Sequence, residues 1–96
     1  MKISYAIPVC NELMEIQRLV SFLLQTKKPN DEIVVLFDKT NGSVGVEEYL
    51  RSHSINGEFQ WYEYPFDGHF GNMKNHLTSI CRGDYIFQID ADELPH

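Results

Sequence analysis

Short apolar runs and amphipathic helical stretches take turns along this chain of 96 residues, and that alternation constrains the fold more than any other feature. The apolar runs are rich in β-formers, which is typical of strands buried in a sheet. Because helical stretches separate them, consecutive strands should run in parallel through right-handed crossovers. The sequence therefore predicts a single α/β domain over 1–96 in the order β-α-β-α-β-α-β, with a mostly parallel sheet and helices on both faces. The strands are predicted at 3–9, 32–37, 58–64 and 84–90.

The three predicted helices differ in how clearly the sequence pattern indicates them. From Glu12 to Thr26 the apolar side chains recur on one helical face, and Asn11 is the predicted N-cap. A shorter, weaker helix is centred on 46–50. A third helix follows the glycine-punctuated loop 66–72, with Gly83 as the expected C′ residue. The aromatic third strand is predicted to lie nearer an edge of the sheet.

Polar residues follow each predicted strand, at the edge where open parallel sheets bind ligands. The last strand ends in Asp90, Asp92 and Glu93. Carboxylates ~7 Å apart repel each other by roughly 2 kcal/mol per pair at an effective dielectric of about 20. A divalent cation with a preference for oxygen ligands, Mn²⁺ or Mg²⁺, would offset that repulsion.

Four motifs, in order, resemble the nucleotide-sugar-binding half of inverting family 2 glycosyltransferases. They are AIPVCNE, EIVVLFD, FGNMKN and GDYIFQIDADE, and the resemblance covers essentially the whole chain. It implies a Rossmann-like GT-A half domain, a nucleoside-diphosphate sugar donor with UDP as the expected nucleotide, and a bound Mn²⁺ or Mg²⁺. The expected reaction is transfer of the sugar to an acceptor hydroxyl with inversion.

The resemblance also implies which residues contact the nucleoside. Pro8, Val9, Asn11 and Glu12 would lie along it, and Asp38 would contact the base. The family commonly has an Asp-Asp-Gly-Ser run after the second strand, whereas this chain has FDKT. Asp38 therefore matches either of the two family aspartates.

A second group of residues is implied for the phosphates and the metal. Lys74 and Asn75 occupy the position of the family's Arg-Asn pair and would line the nucleotide pocket. Lysine keeps the positive charge but lacks the planar fork of arginine. Asp90, Ala91 and Asp92 form the D-x-D element, in which Asp92 binds the metal and Asp90 reaches the ribose or the metal's water. The general base is expected outside this chain, because the family continues after the D-x-D with its acceptor-binding half.

Charge and composition narrow the expected partners. A net charge of −6 and no cluster of basic residues argue against nucleic acid. No window is long enough for a membrane span, and two distant cysteines without a CxxC partner suggest a reduced, cytoplasmic protein. The expected partners are the donor, a glycan, lipid or protein acceptor, and a second copy of the chain at the exposed end of the sheet.

Three alternative functions are considered. A sugar nucleotidyltransferase would carry a glycine-rich basic loop where this chain has PVCNE. A D-x-D phosphohydrolase would carry its motif after the first strand rather than the last. A catalytically incomplete glycosyltransferase fragment, acting as a nucleotide-binding or interaction domain, remains open.

Overall fold

Four parallel strands and three helices build the part of the chain that the computed structural model describes, residues 1–92. The elements are β1 (Ile3–Val9), α1 (Leu13–Thr26), β2 (Glu32–Asp38), α2 (Val44–Ser54), β3 (Gln60–Tyr64), α3 (Phe70–Ile80) and β4 (Tyr85–Gln88). The strand order is β3-β2-β1-β4, and every neighbouring pair is parallel. The predicted fold class is confirmed, and β3 lies at an edge as expected.

Helices cover both faces of the sheet because side chains alternate along each strand. On one face α1 and α2 pack against Ile7, Val35 and Phe37; on the other, α3 packs against Ala6 and Leu36. All seven residues of β2 are buried, since this strand lies between β1 and β3. None of the helices within residues 1–92 is both long enough and apolar enough to cross a membrane.

The start of α1 differs from the prediction. Asn11 is not its N-cap: that position is Glu12, and Asn11 is exposed in the preceding turn. Glu12 makes no side-chain bond to the helix, because its carboxylate reaches back to the amides of Cys10 and Asn11 instead. The negative charge therefore orders the loop between β1 and α1.

The third helix also differs at both ends. It begins at Phe70, inside the segment predicted as loop, and its C-cap is Cys81 with a φ of −79°. Gly83 is not a left-handed C′ residue; the positive φ values of residues 1–92 belong to Gly57 and Gly68. Gly83 is instead required for close approach, because a Cβ there would lie 2.6 Å from the Ser4 hydroxyl oxygen.

A buried polar network joins the amino-terminal ends of the strands. The Ser4 hydroxyl donates to Glu32 Oε2 at 2.5 Å and accepts from the Gly83 N–H at 2.7 Å. The Arg82 N–H donates to the same carboxylate oxygen at 2.7 Å. Burial raises the pKa of Glu32, but these hydrogen bonds and the nearby charge of Lys2 outweigh it, so the pKa is lowered. The network holds β1, β2 and the start of β4 together.

The last strand is shorter and more exposed than the sequence suggests. It spans Tyr85–Gln88 rather than 84–90, and it forms the edge opposite β3. Tyr85 is 54% exposed and Phe87 is 42% exposed. An apolar strand sequence predicts burial, but edge position leaves these rings in contact with solvent.

Candidate functional site

A cleft of about 470 Å³ opens at the carboxyl ends of the strands, where open parallel sheets bind their ligands. The loops after all four strands contribute to it, together with the first turns of α3. Most of the residues that the sequence predicts for the site line this cleft: Pro8, Val9, Glu12, Asp38, Lys74, Asp90, Ala91 and Asp92. The predicted strand ends therefore meet in one place.

Two predicted residues do not line the cleft. Asn11 is exposed in the turn before α1, where its N–H donates to Glu12. Asn75 is exposed on α3, one residue after Lys74. Successive residues of a helix point about 100° apart, so Lys74 lines the cleft and Asn75 does not. Glu93 lies outside the described residues.

The loop after β1 is held by a carboxylate. Glu12 Oε1 accepts from the N–H groups of Cys10 and Asn11, both at 2.8 Å. The Ser43 N–H donates to the Cys10 carbonyl oxygen at 3.1 Å, which ties this loop to the one after β2. Burial, followed by the negative charge of Asp38, raises the pKa of the Cys10 thiol. The thiol is therefore protonated at neutral pH and is not an activated nucleophile.

Asp38 has a structural role as well as a place in the cleft. Its Oδ1 accepts from the N–H groups of Thr40 and Asn41 at 2.9 and 3.0 Å, and its Oδ2 accepts from the Asn41 amide at 3.2 Å. The turn then closes with a bond from the Gly42 N–H to the Asp38 carbonyl. A Cβ at Gly42 would overlap both that carbonyl and the Phe37 ring. The carboxylate is thus fixed, and only 6% of the residue is exposed.

The segment after β4 places two carboxylates on the same side. The Ile89 N–H donates to the Ala6 carbonyl at 2.9 Å, so pairing with β1 continues past the end of β4. Ile89 and Ala91 are buried, whereas Asp90 and Asp92 are exposed and line the cleft. The strand has ended by this point and residues 91–92 form a turn, which leaves both carboxylates at the cleft.

The charges of the cleft fit a bound cation. Glu12, Asp38, Asp90 and Asp92 supply four carboxylates, against the single ammonium of Lys74. Within residues 1–92 no three histidine, cysteine or acidic side chains converge on one point. Asp90 and Asp92 are the exposed carboxylates of the cleft that could supply oxygens to a cation, with ligand oxygens and water in its remaining positions. Mg²⁺ at phosphate sites is commonly held by one or two carboxylates in this way.

Five lining residues had no role assigned from the sequence: Cys10, Asn41, Phe66, Phe70 and Met73. Phe66 and Phe70 form an aromatic pair with ring centroids 5.0 Å apart. Helical spacing could not have found this pair, because Phe66 lies before α3 and Gly68 takes a φ of +91° between the two rings.

Solved structures with the same fold are considerably longer than this chain. Two structures of S. aureus TarS match at 20% identity and a TM-score of 0.81, each covering 98% of this chain. The mannosyltransferase PcManGT from Pyrobaculum calidifontis, solved in complex with GDP-Man and Mn²⁺, matches at 18% identity and a TM-score of 0.80 over 96% of this chain. The matched region is 28% of the TarS 1-349 and PcManGT chains and 17% of the longer TarS chain. No curated protein matches the sequence.

A family model extends the agreement from fold to sequence. The model for glycosyl transferase family 2 matches residues 4–96, which includes every strand end that contributes to the cleft. The chain therefore belongs to glycosyl transferase family 2.

Proposed function

We propose that this chain forms the donor-binding part of a cytoplasmic, metal-dependent glycosyltransferase. The donor is a nucleoside-diphosphate sugar, with UDP as the nucleotide, and the sugar passes with inversion to a hydroxyl of a glycan, lipid or protein acceptor. Residues 1–96 act as one donor-binding domain. Family membership supports the glycosyltransferase activity. The free thiols of Cys10 and Cys81 support the cytoplasmic location, where thiols stay reduced.

One observation carries the proposal: paired carboxylates and a lysine meet at the carboxyl edge of a parallel sheet. Asp90 and Asp92 would hold a divalent cation, and Lys74 would face the phosphates of the donor. The PcManGT structure, which contains GDP-Man and Mn²⁺, supports a nucleotide sugar and a divalent metal as the ligands of such a cleft. When bound, the cation stabilises the negative charge that develops on the leaving nucleoside diphosphate.

The remaining residues orient the nucleoside. The Asp38 carboxylate is fixed by its turn, so it would present its oxygens to the base without a rearrangement. Pro8 and Val9, at the end of β1, and Glu12, on the loop that its carboxylate holds, would lie along the nucleoside. Ala91 is buried between the two aspartates and would anchor the segment that carries them. The general base and acceptor site are proposed to come from other parts of the enzyme.

Self-association is proposed at the end of the sheet that β4 forms. Within residues 1–92 the outer edge of β4 carries no paired strand, and neither lysine nor proline blocks it. Its exposed rings, Tyr85 and Phe87, would add apolar contact area to such an interface.

Calorimetric titration of UDP and GDP tests the donor site directly. Binding is measured with Mn²⁺, with Mg²⁺ and with a chelator, on the unmodified protein, Asp92→Ala and Asp84→Ala. Asp84 is the matched control, because it lies at the opposite end of β4 and bonds the Lys2 N–H. We expect metal-dependent UDP binding that Asp92→Ala abolishes and Asp84→Ala preserves.

Other outcomes would contradict specific parts of the proposal. Binding that survives the chelator would refute metal dependence, and a preference for GDP would refute UDP as the nucleotide. Failure of the folded protein to bind either nucleotide with either metal would refute the donor site itself.

A further inference from the structure

The two phenylalanines of the cleft differ in how far they are buried. Phe66 packs against the core on the α3 side of the sheet and is partly buried. Phe70, the first residue of α3, is 69% exposed although its ring contacts that of Phe66 at 5.0 Å between centroids. Because Phe70 lines the cleft, its exposed ring is accessible to a ligand bound there, and ligand pockets are commonly lined by aromatic side chains.

The segment between these two rings makes its own hydrogen bonds. Asp67 Oδ1 accepts from the His69 N–H at 3.0 Å, and Asp67 Oδ2 accepts from the Asn72 amide at 3.3 Å. Gly68 takes a φ of +91°, a conformation that other residues rarely adopt, and allows the reversal between the two rings. The aromatic pair is therefore preorganised rather than a loose loop tip.

A second set of contacts places the aromatic pair beside Asp38. The Lys39 N–H donates to the Tyr64 carbonyl at 2.9 Å, and the Thr40 hydroxyl donates to the Phe66 carbonyl at 3.3 Å. Thr40 also bonds the Asp38 carboxylate through its N–H. The rings and the fixed carboxylate thus belong to the same end of the cleft.

Strand order separates the aromatic end of the cleft, formed by Phe66 and Phe70, from its acidic end, formed by Asp90 and Asp92. Phe66 follows β3 and Asp90 follows β4, which are the two edges of the sheet. Three strand spacings lie between them, or about 14 Å. A nucleoside diphosphate has the same polarity, with a flat aromatic base at one end and charged phosphates at the other.

We propose that Phe70, supported by Phe66, stacks on the nucleobase of the donor and so determines how tightly the nucleoside is held. This inference rests on the proposed donor site and adds the surface that recognises its base. Every base presents a flat π-face, so stacking supplies affinity, whereas the Asp38 carboxylate beside the ring supplies discrimination among bases.

The test compares UDP with inorganic pyrophosphate, each titrated in the presence of Mn²⁺. Pyrophosphate reports on the acidic end alone, because it has no base. The variants are Phe70→Ala, Phe70→Leu, which keeps apolar volume but not the ring, and Phe70→Trp. Tyr85→Ala is the matched control, since Tyr85 is an exposed aromatic residue at the far end of β4.

We expect Phe70→Ala and Phe70→Leu to weaken UDP binding about tenfold, the loss of one base-aromatic stack. Pyrophosphate binding should be unchanged in both variants, and Tyr85→Ala should leave both ligands unaffected. Phe70→Trp should retain UDP binding. Its fluorescence, after subtraction of the Trp61 signal of the unmodified protein, should be quenched by UDP and not by pyrophosphate.

The possible failures are distinguishable. Unchanged UDP affinity in Phe70→Ala overturns the stacking role and leaves the donor site intact. Equal weakening of UDP and pyrophosphate also overturns it, because a base contact cannot affect a ligand without a base. If neither ligand binds the folded protein with Mn²⁺, the donor site and the stacking role fail together.

Discussion

Replacing Ser4 with alanine removes a fully buried hydroxyl that serves two partners at the amino-terminal end of the sheet. The O–H group donates to the Glu32 carboxylate at 2.5 Å, and its oxygen accepts from the Gly83 N–H at 2.7 Å. A hydrogen bond to a charged group contributes about 1.5 to 3 kcal/mol, and a buried N–H left without an acceptor costs about 1 to 3 kcal/mol. Because Glu32 keeps the bond from the Arg82 N–H, the lower half of each range applies. We expect Ser4→Ala to reduce the free energy of unfolding by about 3 kcal/mol.

Urea denaturation followed by circular dichroism measures this loss. The same change should lower the melting temperature by about 12 to 24 °C in a domain of this size. Ser52→Ala is the control: Ser52 is exposed on α2, and its hydroxyl bonds the Glu48 carbonyl at 2.7 Å within the helix. We expect the control to change stability by less than about 0.5 kcal/mol, since alanine is the better helix former.

The reasoning fails if Ser4→Ala costs less than about 1 kcal/mol, or no more than the Ser52→Ala control, because the buried partners would then be satisfied in some other way. The variant also tests where the site lies. Ser4 is at the opposite end of β1 from the cleft, so UDP affinity should be unchanged under conditions where both proteins are folded.

Two further predictions concern acid stability and the turn after β2. Burial raises the pKa of Glu32, but hydrogen bonds to its carboxylate outweigh this effect, so the pKa is lowered from the ordinary value of 4.5. The ionised Glu32 therefore stabilises the folded protein above that value, and this stabilisation is lost as the pH falls through the folded-state pKa. As the pH is lowered below about 4.5, the urea concentration at the unfolding midpoint should decrease, and Glu32→Gln should make that decrease smaller. An unmodified protein whose midpoint stays constant down to about pH 3 would contradict this prediction. Gly42→Ala should reduce stability by about 1 to 3 kcal/mol and weaken UDP binding, because the new Cβ meets the Phe37 ring and the Asp38 carbonyl. Gly71→Ala is the control, since its Cβ would meet nothing within 4 Å; equal losses in the two variants, by the same denaturation assay, would refute the steric argument.

The order of elements was predictable because each depends on local periodicity. The boundaries were less so, because they depend on hydrogen bonds that the sequence does not specify. Asn11 is a good N-cap by residue type, yet Glu12 takes that position and uses its carboxylate on the preceding loop. Gly83 is a typical helix terminator, yet its requirement comes from a close approach to Ser4, distant in sequence. The exposure of β4 depends on strand order, which apolar content does not reveal.

The site was predictable to the extent that it consists of strand ends. Parallel strands bring their carboxyl ends to one edge of the sheet, so the sequence alone predicts that Asp38, Asp90 and Asp92 lie close together. The pairing of Phe66 with Phe70 could not be predicted. Phe66 lies on a loop and Phe70 begins α3, and the path between them depends on one glycine with positive φ and on hydrogen bonds from side chains. The position of a loop residue can be predicted only when the path of the chain is known, whereas the position of a strand-end residue follows from the fold class.

The two aspartates most central to the site differ in what their substitution can reveal. Asp38 is 6% exposed and caps its own turn through bonds from Thr40 and Asn41, so its removal would loosen the fold and the cleft together. Asp92 is exposed, and the network around Ser4 that joins the strands lies at the other end of the sheet. Because like-charged neighbours repel, removal of Asp92 relieves repulsion from Asp90 as well as removing the proposed metal ligand. Loss of UDP binding in Asp92→Ala with undiminished stability therefore reports on the ligand alone, a separation that Asp38→Ala cannot provide.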